Sequence, residues 1–438
     1  MYNAARIAAG IELLDECETS WASARPLPAD IIINHYFKAR RYIGSKDRGA
    51  IAELVYYIIR NRAILSWWIE RHHAQRNGRT LAIAAQLLQY KITLIDLHNI
   101  CNGDAFSPAK LTPAEVTFAK LLEGKDVLHD DMPDHVRYNY PQWMEEELHA
   151  SLGEGWKEEL AALNTEATVD LRTNTLLTTR DELIAALREE QYEVEPTPLS
   201  PFGVRMKTRA PIFTSSCFKR GWFEMQDEGS QLVALLAPVK PGDKVIDFCA
   251  GAGGKTLALA AMMKNKGRIL AWDTSQKRLD QMKPRLARAK VDNVQRTTLT
   301  SETDPFLKRH KDSANCVIID APCSGSGTWR RNPDLKWRFR ASDLDEIRAI
   351  QNRILESASR LVKREGYLLY VTCSLLQSEN DKAIETFLTH QKNFKVADPE
   401  KIWSNFSPPT MRQESNLRLT PHQDGTDGFF ATLLQRCE

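Results

Sequence analysis

Apolar runs and amphipathic segments alternate regularly along the second half of the chain, from about residue 227 onward. Short apolar runs predict buried strands, and apolar residues spaced three and four positions apart predict helices. Because strands that alternate with helices form parallel sheets covered on both faces, the pattern predicts an α/β, Rossmann-like domain. The predicted strands are Lys244–Ala250, Arg268–Asp273, Cys316–Ala321, Gly366–Ser374, Phe394–Asp398 and Gly428–Arg436.

The first third of the chain has a different pattern, in which the helical period predominates. Helices are predicted over Ala29–Lys38, Arg48–Arg71 and Thr80–Gln89, with Asp47 as a cap of the second helix. The stretch His129–Pro141, which contains Pro and Asp, predicts a linker. We therefore predict a helical domain over residues 1–135, a small α+β subdomain over 136–226 and the Rossmann-like domain over 227–438.

Composition narrows the functional classes. The 59 basic and 57 acidic residues give a net charge of +2, so any contact with nucleic acid must come from a local patch. No apolar run is long enough to span a membrane, and Met1–Gly10 lacks the apolar core of a secretory leader. None of the eight cysteines lies in a Cys-x-x-Cys pair, which argues against zinc. We expect a cytoplasmic monomer with free thiols and no metal.

A glycine-rich turn follows the first predicted strand of the Rossmann-like domain, in the segment DFCAGAGGKT (Asp247–Thr256). Its spacing does not match a Walker phosphate loop. It also departs from the dinucleotide fingerprint Gly-x-Gly-x-x-Gly, because Thr256 stands at the position of the last glycine. The next strand ends in Asp273, where a carboxylate can accept hydrogen bonds from both ribose hydroxyls of an adenosine. Asp247, directly before the glycines, suits the ammonium group of a cofactor that carries an amino acid. Together these features favour S-adenosylmethionine.

The predicted cofactor site extends beyond these two carboxylates to the whole turn and to neighbouring strand ends. Its residues are Asp247, Cys249, Ala250, Gly251, Gly253, Gly254, Lys255, Asp273, Arg278 and Asp320.

Two cysteines lie just beyond strand ends, in polar turns that contain Gly or Ser: Cys323 and Cys373. Both should open at the edge of the sheet where the cofactor binds. Carbon 5 of cytosine is a poor nucleophile, but a thiolate that adds to carbon 6 turns the ring into an enamine able to attack a methyl sulfonium. An acid near ring nitrogen 3 would stabilise that adduct, and Asp320 is placed for this role. The second thiol could assist the release of the product.

These segments resemble the RsmB-type (Fmu/Sun) family of RNA cytosine-5 methyltransferases. The resemblance covers residues 137–438 and rests mainly on the segments DFCAGAGGKT, DAPCSGSGTWRRNPDLKW and VTCSLLQSEND. It implies a class I methyltransferase sheet in which Cys373 attacks the base, Cys323 aids release and Asp320 holds the base. It also implies that Lys255 and Asp273 serve the cofactor and the active site. Small-subunit ribosomal RNA is the implied substrate, with transfer RNA as the alternative.

Two rivals stay open, and one segment departs from the family. A non-catalytic ribosome-assembly factor would bind the cofactor and RNA only, but the intact Cys373, Cys323 and Asp320 argue against it. A DNA-acting enzyme is disfavoured because DNA cytosine-5 methyltransferases lack the second cysteine. Family members carry an acid after the third strand, near the adenine, whereas this chain offers only Glu302 or the hydroxyl of Thr298 there.

Two regions are predicted to contact RNA. The N-terminal segment ARRYIGSKDRGAIAELVYYIIRNR resembles a NusB-type RNA-binding module, with a generic helical docking domain as the alternative. A run of basic and aromatic residues directly follows Cys323, which suits phosphate contact and base stacking, although a solvated charged helix face has a similar composition. The predicted RNA-binding residues in this run are Arg330, Arg331, Lys336, Trp337 and Arg338.

Overall fold

A computed structural model describes residues 3–397 and 416–437 of the protein. The chain divides into two compact units. One is helical and consists of residues 1–146, 154–165 and 331–340, and the other consists of residues 147–153, 166–330 and 341–438. This division differs from the predicted boundary at residue 135, because two later pieces of the chain also belong to the helical unit.

Helices and strands are numbered here in chain order. The helices are α1 (Asn3–Trp21), α2 (Ala29–Ala39), α3 (Ser45–Arg60), α4 (Arg62–Arg71), α5 (Gly78–Leu88), α6 (Leu94–Ile100), α7 (Pro113–Leu122), α8 (Asp134–Arg137), α9 (Glu145–Leu152), α10 (Trp156–Leu163), α11 (Arg180–Glu189), α12 (Ser216–Lys219), α13 (Glu228–Leu235), α14 (Gly254–Met262), α15 (Gln276–Ala289), α16 (Leu335–Arg338), α17 (Ala341–Ser359), α18 (Asp381–His390) and α19 (Pro421–Asp424). The strands are β1 (Val169–Thr173), β2 (Val194–Pro196), β3 (Gly203–Met206), β4 (Phe223–Met225), β5 (Lys244–Asp247), β6 (Arg268–Asp273), β7 (Val294–Thr298), β8 (Ala314–Asp320), β9 (Val362–Thr372), β10 (Phe394–Val396), β11 (Leu417–Leu419) and β12 (Phe429–Arg436).

The helical unit corrects three details of the prediction. The predicted helix Arg48–Arg71 is two helices, α3 and α4, which meet at Asn61, where the backbone leaves the helical conformation. Gly44 caps α3, and Asp47 instead forms an ion pair with Arg6 at 2.8 Å. The predicted linker over residues 129–141 is packed structure, because it contains α8 and the side chain of Tyr140 is fully buried. Apolar side chains of α1 to α5 form most of the core of this unit.

A four-stranded antiparallel sheet begins the second unit, with the strand order β2-β3-β1-β4. Helix α11 packs beside it and is fixed at its start by a capping box between Thr179 and Glu182. Leu171, Leu183 and Val204 lie in the core between this sheet and its helices. The sheet and helices form the predicted small α+β fold.

The larger sheet has the strand order β10-β12-β9-β8-β5-β6-β7, and β11 pairs with β12. Strands β5 to β9 run parallel to one another, whereas β12 is antiparallel to β9. Two apolar clusters, one on each face, cover the sheet with helices. This is the predicted Rossmann-like fold, whose strands are apolar because both of their faces are buried.

Among the described residues, the sequence pattern predicted six of the eight strands of this sheet, missed β7 and β11, and misjudged several ends. Strand β5 stops at Asp247, before the glycine-rich turn, and β9 begins at Val362 rather than at Gly366. The predicted strand Phe394–Asp398 is observed as β10, and Asp398 lies outside the described residues. Across the described ranges, no helix is long and apolar enough to cross a membrane.

Candidate active site

Four strands of the parallel sheet deliver polar residues to the same edge. Asp247, Asp273 and Asp320 are the last residues of β5, β6 and β8, and Cys373 directly follows β9. The strand order reverses at β5, which has β6 on one side and β8 on the other. Ligands of open α/β sheets bind at such a reversal, outside the carboxyl ends of the strands. The predicted cofactor and reaction residues therefore meet at one site.

The turn after β5 has a backbone shape that requires glycine. Gly253 adopts a left-handed conformation with φ of +85° at the start of α14. A Cβ atom there would also lie 2.5 Å from Cγ of Met282, so a larger residue would be both strained and crowded. The N–H of Ala250 donates to the carbonyl of Trp272 at 2.8 Å, which joins this turn to β6.

Asp247 is almost fully buried and has a free acceptor. Its Oδ2 accepts a hydrogen bond from Thr256 Oγ1 at 2.6 Å, and its Oδ1 has no partner among the described residues. Burial raises the pKa of this carboxyl from 3.8 to about 7. A buried carboxylate with an unused oxygen fits a cationic ligand group, such as the ammonium of S-adenosylmethionine.

Asp273 organises the same turn from the neighbouring strand. Its carboxylate accepts hydrogen bonds from the N–H groups of Gly251 and Ser275, both at 2.8 Å. Arg278 lies 3.5 Å from the same carboxylate. These contacts leave part of its acceptor capacity for ribose hydroxyls. Cys249 lies beside this carboxylate cluster, and burial raises the pKa of its thiol well above the ordinary value, so it stays protonated.

Two arginines support the turn from outside, and the sequence analysis did not identify them. Arg172, on β1 of the small sheet, donates to the carbonyl of Gly254 at 2.7 Å. Arg285, on α15, donates to the carbonyl of Ala252 at 2.7 Å and pairs with Glu224. Arg172 lies in the segment LRTNTLLTTRDEL, whose composition gives no sign of a buried arginine.

The two cysteines lie together as predicted. Their sulfur atoms are 3.4 Å apart, within hydrogen-bond distance for thiols. The hydrogen bond with Cys373, together with burial, raises the pKa of the Cys323 thiol well above its ordinary value. Cys323 therefore keeps its proton in the resting protein. Nearby, Lys255 Nζ lies 2.7 Å from Asp320 Oδ1, and the lysine is buried whereas the carboxylate is partly exposed.

Three residues of the basic and aromatic run after Cys323 make their contacts within the protein, which disagrees with their predicted role in contacting RNA. Lys336 is 2% exposed and donates to the carbonyl of Arg60 at 3.3 Å. Trp337 donates to the carbonyl of Ile59 at 2.7 Å. Arg330 is buried against Asp427 in the second unit.

The two remaining residues of the run are partly exposed. Arg338 pairs with Asp334 at 2.9 Å, and Arg331 lies at the start of the segment that belongs to the helical unit. Their contact with RNA stays a prediction.

The side chains considered for adenine recognition are also engaged elsewhere. Glu302 forms an ion pair with Arg353 at 2.5 Å, which lowers the pKa of its carboxyl. The hydroxyl of Thr298, at the end of β7, donates to the amide oxygen of Gln276. Neither side chain is therefore positioned to replace the acid that family members carry after the third strand, near the adenine.

Two family models match parts of the chain. Residues 233–435 match the family described as 16S rRNA methyltransferase RsmB/F, and residues 140–213 match the ferredoxin-like domain of RsmF/B-like methyltransferases.

Curated relatives carry related names. The chain is 31% identical over 325 residues to "Probable ribosomal RNA small subunit methyltransferase B" of Synechocystis sp., which covers 72% of this chain and 71% of the relative. It is 28% identical to "Ribosomal RNA small subunit methyltransferase B" of Erwinia tasmaniensis, over 90% of this chain and 91% of the relative. The crystal structure of PH0851 superposes with a TM-score of 0.78, at 27% identity, and covers 100% of this chain and 99% of that one.

Proposed function

The chain belongs to the RsmB/F family of 16S rRNA methyltransferases, and we propose that it methylates carbon 5 of a cytosine through a covalent adduct with Cys373. Membership confirms the resemblance predicted from the sequence, the RNA methyltransferase activity and the use of S-adenosylmethionine. The target atom and the covalent step go beyond the family name. They rest on the pair of sulfur atoms and on the Lys255–Asp320 ion pair.

Cys373 supplies the nucleophile in this mechanism. Its thiolate adds to carbon 6 of the base, and carbon 5 then attacks the methyl group that S-adenosylmethionine supplies. The electrons displaced by the addition reach ring nitrogen 3, which takes a proton from solvent, and the carboxylate of Asp320 accepts a hydrogen bond from the N–H group so formed. Lys255, 2.7 Å from Asp320, balances the negative charge of this carboxylate.

Cys323 serves the second half of the reaction. The proton on carbon 5 must leave before the bond between carbon 6 and Cys373 can break. This proton passes to solvent water, and the electron pair of the carbon–hydrogen bond restores the double bond between carbons 5 and 6 as Cys373 leaves as a thiolate. Cys323, held 3.4 Å from the attacking sulfur, assists this release.

Small-subunit ribosomal RNA is the proposed substrate, because the curated relatives are named for that RNA. The small α+β subdomain offers a surface for it. Phe213 is 57% exposed, Lys219 and Arg220 are exposed nearby, and Arg220 lies 5.3 Å from the ring of Trp222. Exposed aromatic rings and cations together suit stacking on unpaired bases and contact with phosphates.

The deciding experiment traps the adduct. Purified Cys323→Ala is incubated with S-adenosylmethionine and total cellular RNA, resolved on a denaturing gel, and the RNA that remains attached is sequenced. Because this variant still attacks but cannot complete release, we expect a covalent protein–RNA complex that contains small-subunit ribosomal RNA. The matched control, Cys323→Ala combined with Cys373→Ala, should form no complex.

The outcomes separate the alternatives. Attached transfer RNA would replace ribosomal RNA as the substrate. A complex that persists in the double variant would remove Cys373 as the nucleophile. Methylation by Cys373→Ala at the wild-type rate would exclude the covalent mechanism. If neither the wild type nor any variant methylates RNA or forms an adduct, a non-catalytic ribosome-assembly factor becomes the favoured interpretation.

A further inference from the structure

A buried carboxylate lies behind the two cysteine loops. Glu379 ends a short 3-10 turn that follows β9, and its side chain is fully buried. Its carboxylate accepts hydrogen bonds from the N–H of Ser324 at 2.8 Å, from Ser324 Oγ at 2.5 Å and from Gln351 Nε2 at 3.0 Å. Ser374 Oγ also donates to it. No lysine, arginine or histidine among the described residues forms an ion pair with Glu379.

The partners of this carboxylate connect both cysteine loops. Ser324 directly follows Cys323, and Ser374 directly follows Cys373. One carboxylate therefore binds the residue next to each sulfur. A buried acid without a cationic partner is costly unless hydrogen bonds satisfy its oxygens, and here the two loops supply most of those donors.

Further hydrogen bonds extend the connection. Gln351 Nε2 also donates to the carbonyl of Pro322 at 2.9 Å, immediately before Cys323. Ser326 Oγ lies 3.2 Å from Ser374 Oγ and accepts a hydrogen bond from the N–H of Leu375 at 2.8 Å. The loop that carries Cys323 is thus joined to the loop that carries Cys373 on the side opposite the solvent.

We propose that Glu379 is a positioning residue that holds the two cysteine loops together and so sets the distance between the sulfur atoms of Cys323 and Cys373. The consequence for methyl transfer rests on the proposed function, but the positioning itself does not. The negative charge of Glu379 also contributes to raising the pKa of Cys323, after the hydrogen bond with Cys373 and burial.

The test measures how readily the two sulfur atoms react with each other, which does not depend on the methylation reaction. Diamide oxidises two neighbouring thiols to a disulfide and is itself reduced to the hydrazine, so the rate of Cys323–Cys373 disulfide formation reports their proximity. Peptide mass spectrometry of the full chain identifies the pair. We expect Glu379→Ala to slow disulfide formation at least about 10-fold. In the methylation reaction, we expect the same variant to lower kcat about 100-fold and to leave the KM for S-adenosylmethionine unchanged.

Two variants control for general damage. Glu385→Ala removes an exposed acid from the neighbouring helix α18 and should leave both rates as in the wild type. Glu379→Gln keeps the size of the side chain and its ability to bond both serines, so it should restore disulfide formation to within about threefold of the wild type. Glu379→Asp provides a second test if the alanine variant fails to fold, because its shorter side chain cannot bridge both loops.

Wild-type disulfide rates in folded Glu379→Ala or Glu379→Asp would overturn the proposal. Equally, a rate in Glu379→Gln as low as that in Glu379→Ala would show that the bridging hydrogen bonds are not what holds the sulfurs. The adduct experiment on Cys323→Ala is independent of these measurements. If Glu379→Ala forms the disulfide slowly but Cys323→Ala traps no RNA, the positioning role stands and the covalent mechanism is rejected. If Glu379→Ala forms the disulfide at the wild-type rate but Cys323→Ala traps RNA, the covalent mechanism stands and the positioning role is rejected.

Discussion

Asp247 combines two properties that rarely occur together in a carboxyl group. One oxygen is bonded to Thr256, whereas the other is buried without a partner, and the pKa is raised to about 7. A binding site that must attract an ammonium group has to leave such an acceptor unsatisfied until the ligand arrives. The cost of that arrangement falls on the stability of the free protein.

The pH dependence of stability therefore tests the role of Asp247. Because its pKa is higher in the folded protein than in the unfolded chain, the protonated form stabilises the fold below about pH 4, and this contribution is lost as the pH rises through about 7. In urea unfolding between about pH 5 and pH 8, the wild type should lose stability relative to Asp247→Asn, by at most roughly 3 kcal/mol. Saturating S-adenosylmethionine should abolish the difference. Parallel pH profiles for the two cofactor-free proteins would contradict the assignment.

Strand β1 and helix α15 extend the cofactor site beyond the parallel sheet. Arg172 and Arg285 bind the carbonyl groups of Gly254 and Ala252, which flank Gly253 in the turn. Burial lowers the pKa of Arg172 to about 10, and it still carries its charge at neutral pH. The small sheet thus fixes the shape of a turn that belongs to the large one.

We expect Arg172→Met to weaken the binding of S-adenosylmethionine about 10-fold, because the Gly254 carbonyl loses its donor and the turn relaxes. Isothermal titration calorimetry measures the affinity directly. Arg180→Met is the matched control, because Arg180 donates to the Ser200 carbonyl within the same subdomain and does not touch the turn. An unchanged affinity in folded Arg172→Met would show that the turn keeps its shape without this support.

The alternation of strands and helices and the position of the two cysteines could be predicted from the sequence, because both depend on local patterns. Glu379 and Arg172 could not, since charged residues are normally exposed and only the packed structure shows that distant segments supply their partners. Helix α1 escaped prediction although Leu13 and Leu14 are buried in the core. The strand ends were misjudged because a turn such as that after Asp247 continues the apolar composition of its strand.

Each of the two compact units is built from separate stretches of the chain, so the units alternate along the sequence. Residues 331–340 directly follow the loop of Cys323, but they belong to the helical unit at the other end of the sequence. Within that unit, Lys336 binds the carbonyl of Arg60 and the side chain of Asn164, and the N–H of Ala29 donates to Asp334. Basic and aromatic residues at this spacing have the same composition in a packed segment as on an RNA-binding face, so the sequence alone could not distinguish the two.

Replacing Trp337 distinguishes these two roles in the intact protein. Its indole donates to the Ile59 carbonyl at 2.7 Å, and its ring packs against the core of the helical unit. We expect Trp337→Ala to lower the free energy of unfolding by about 2–3 kcal/mol, since a partly buried tryptophan and its hydrogen bond are lost, and to speed amide hydrogen exchange in α3. Asn332→Ala, an exposed change in the same segment, should alter neither quantity. If Trp337→Ala instead kept full stability and lost RNA affinity in a filter-binding assay, the tryptophan would stack on RNA, and its packing within the helical unit would not describe the active protein.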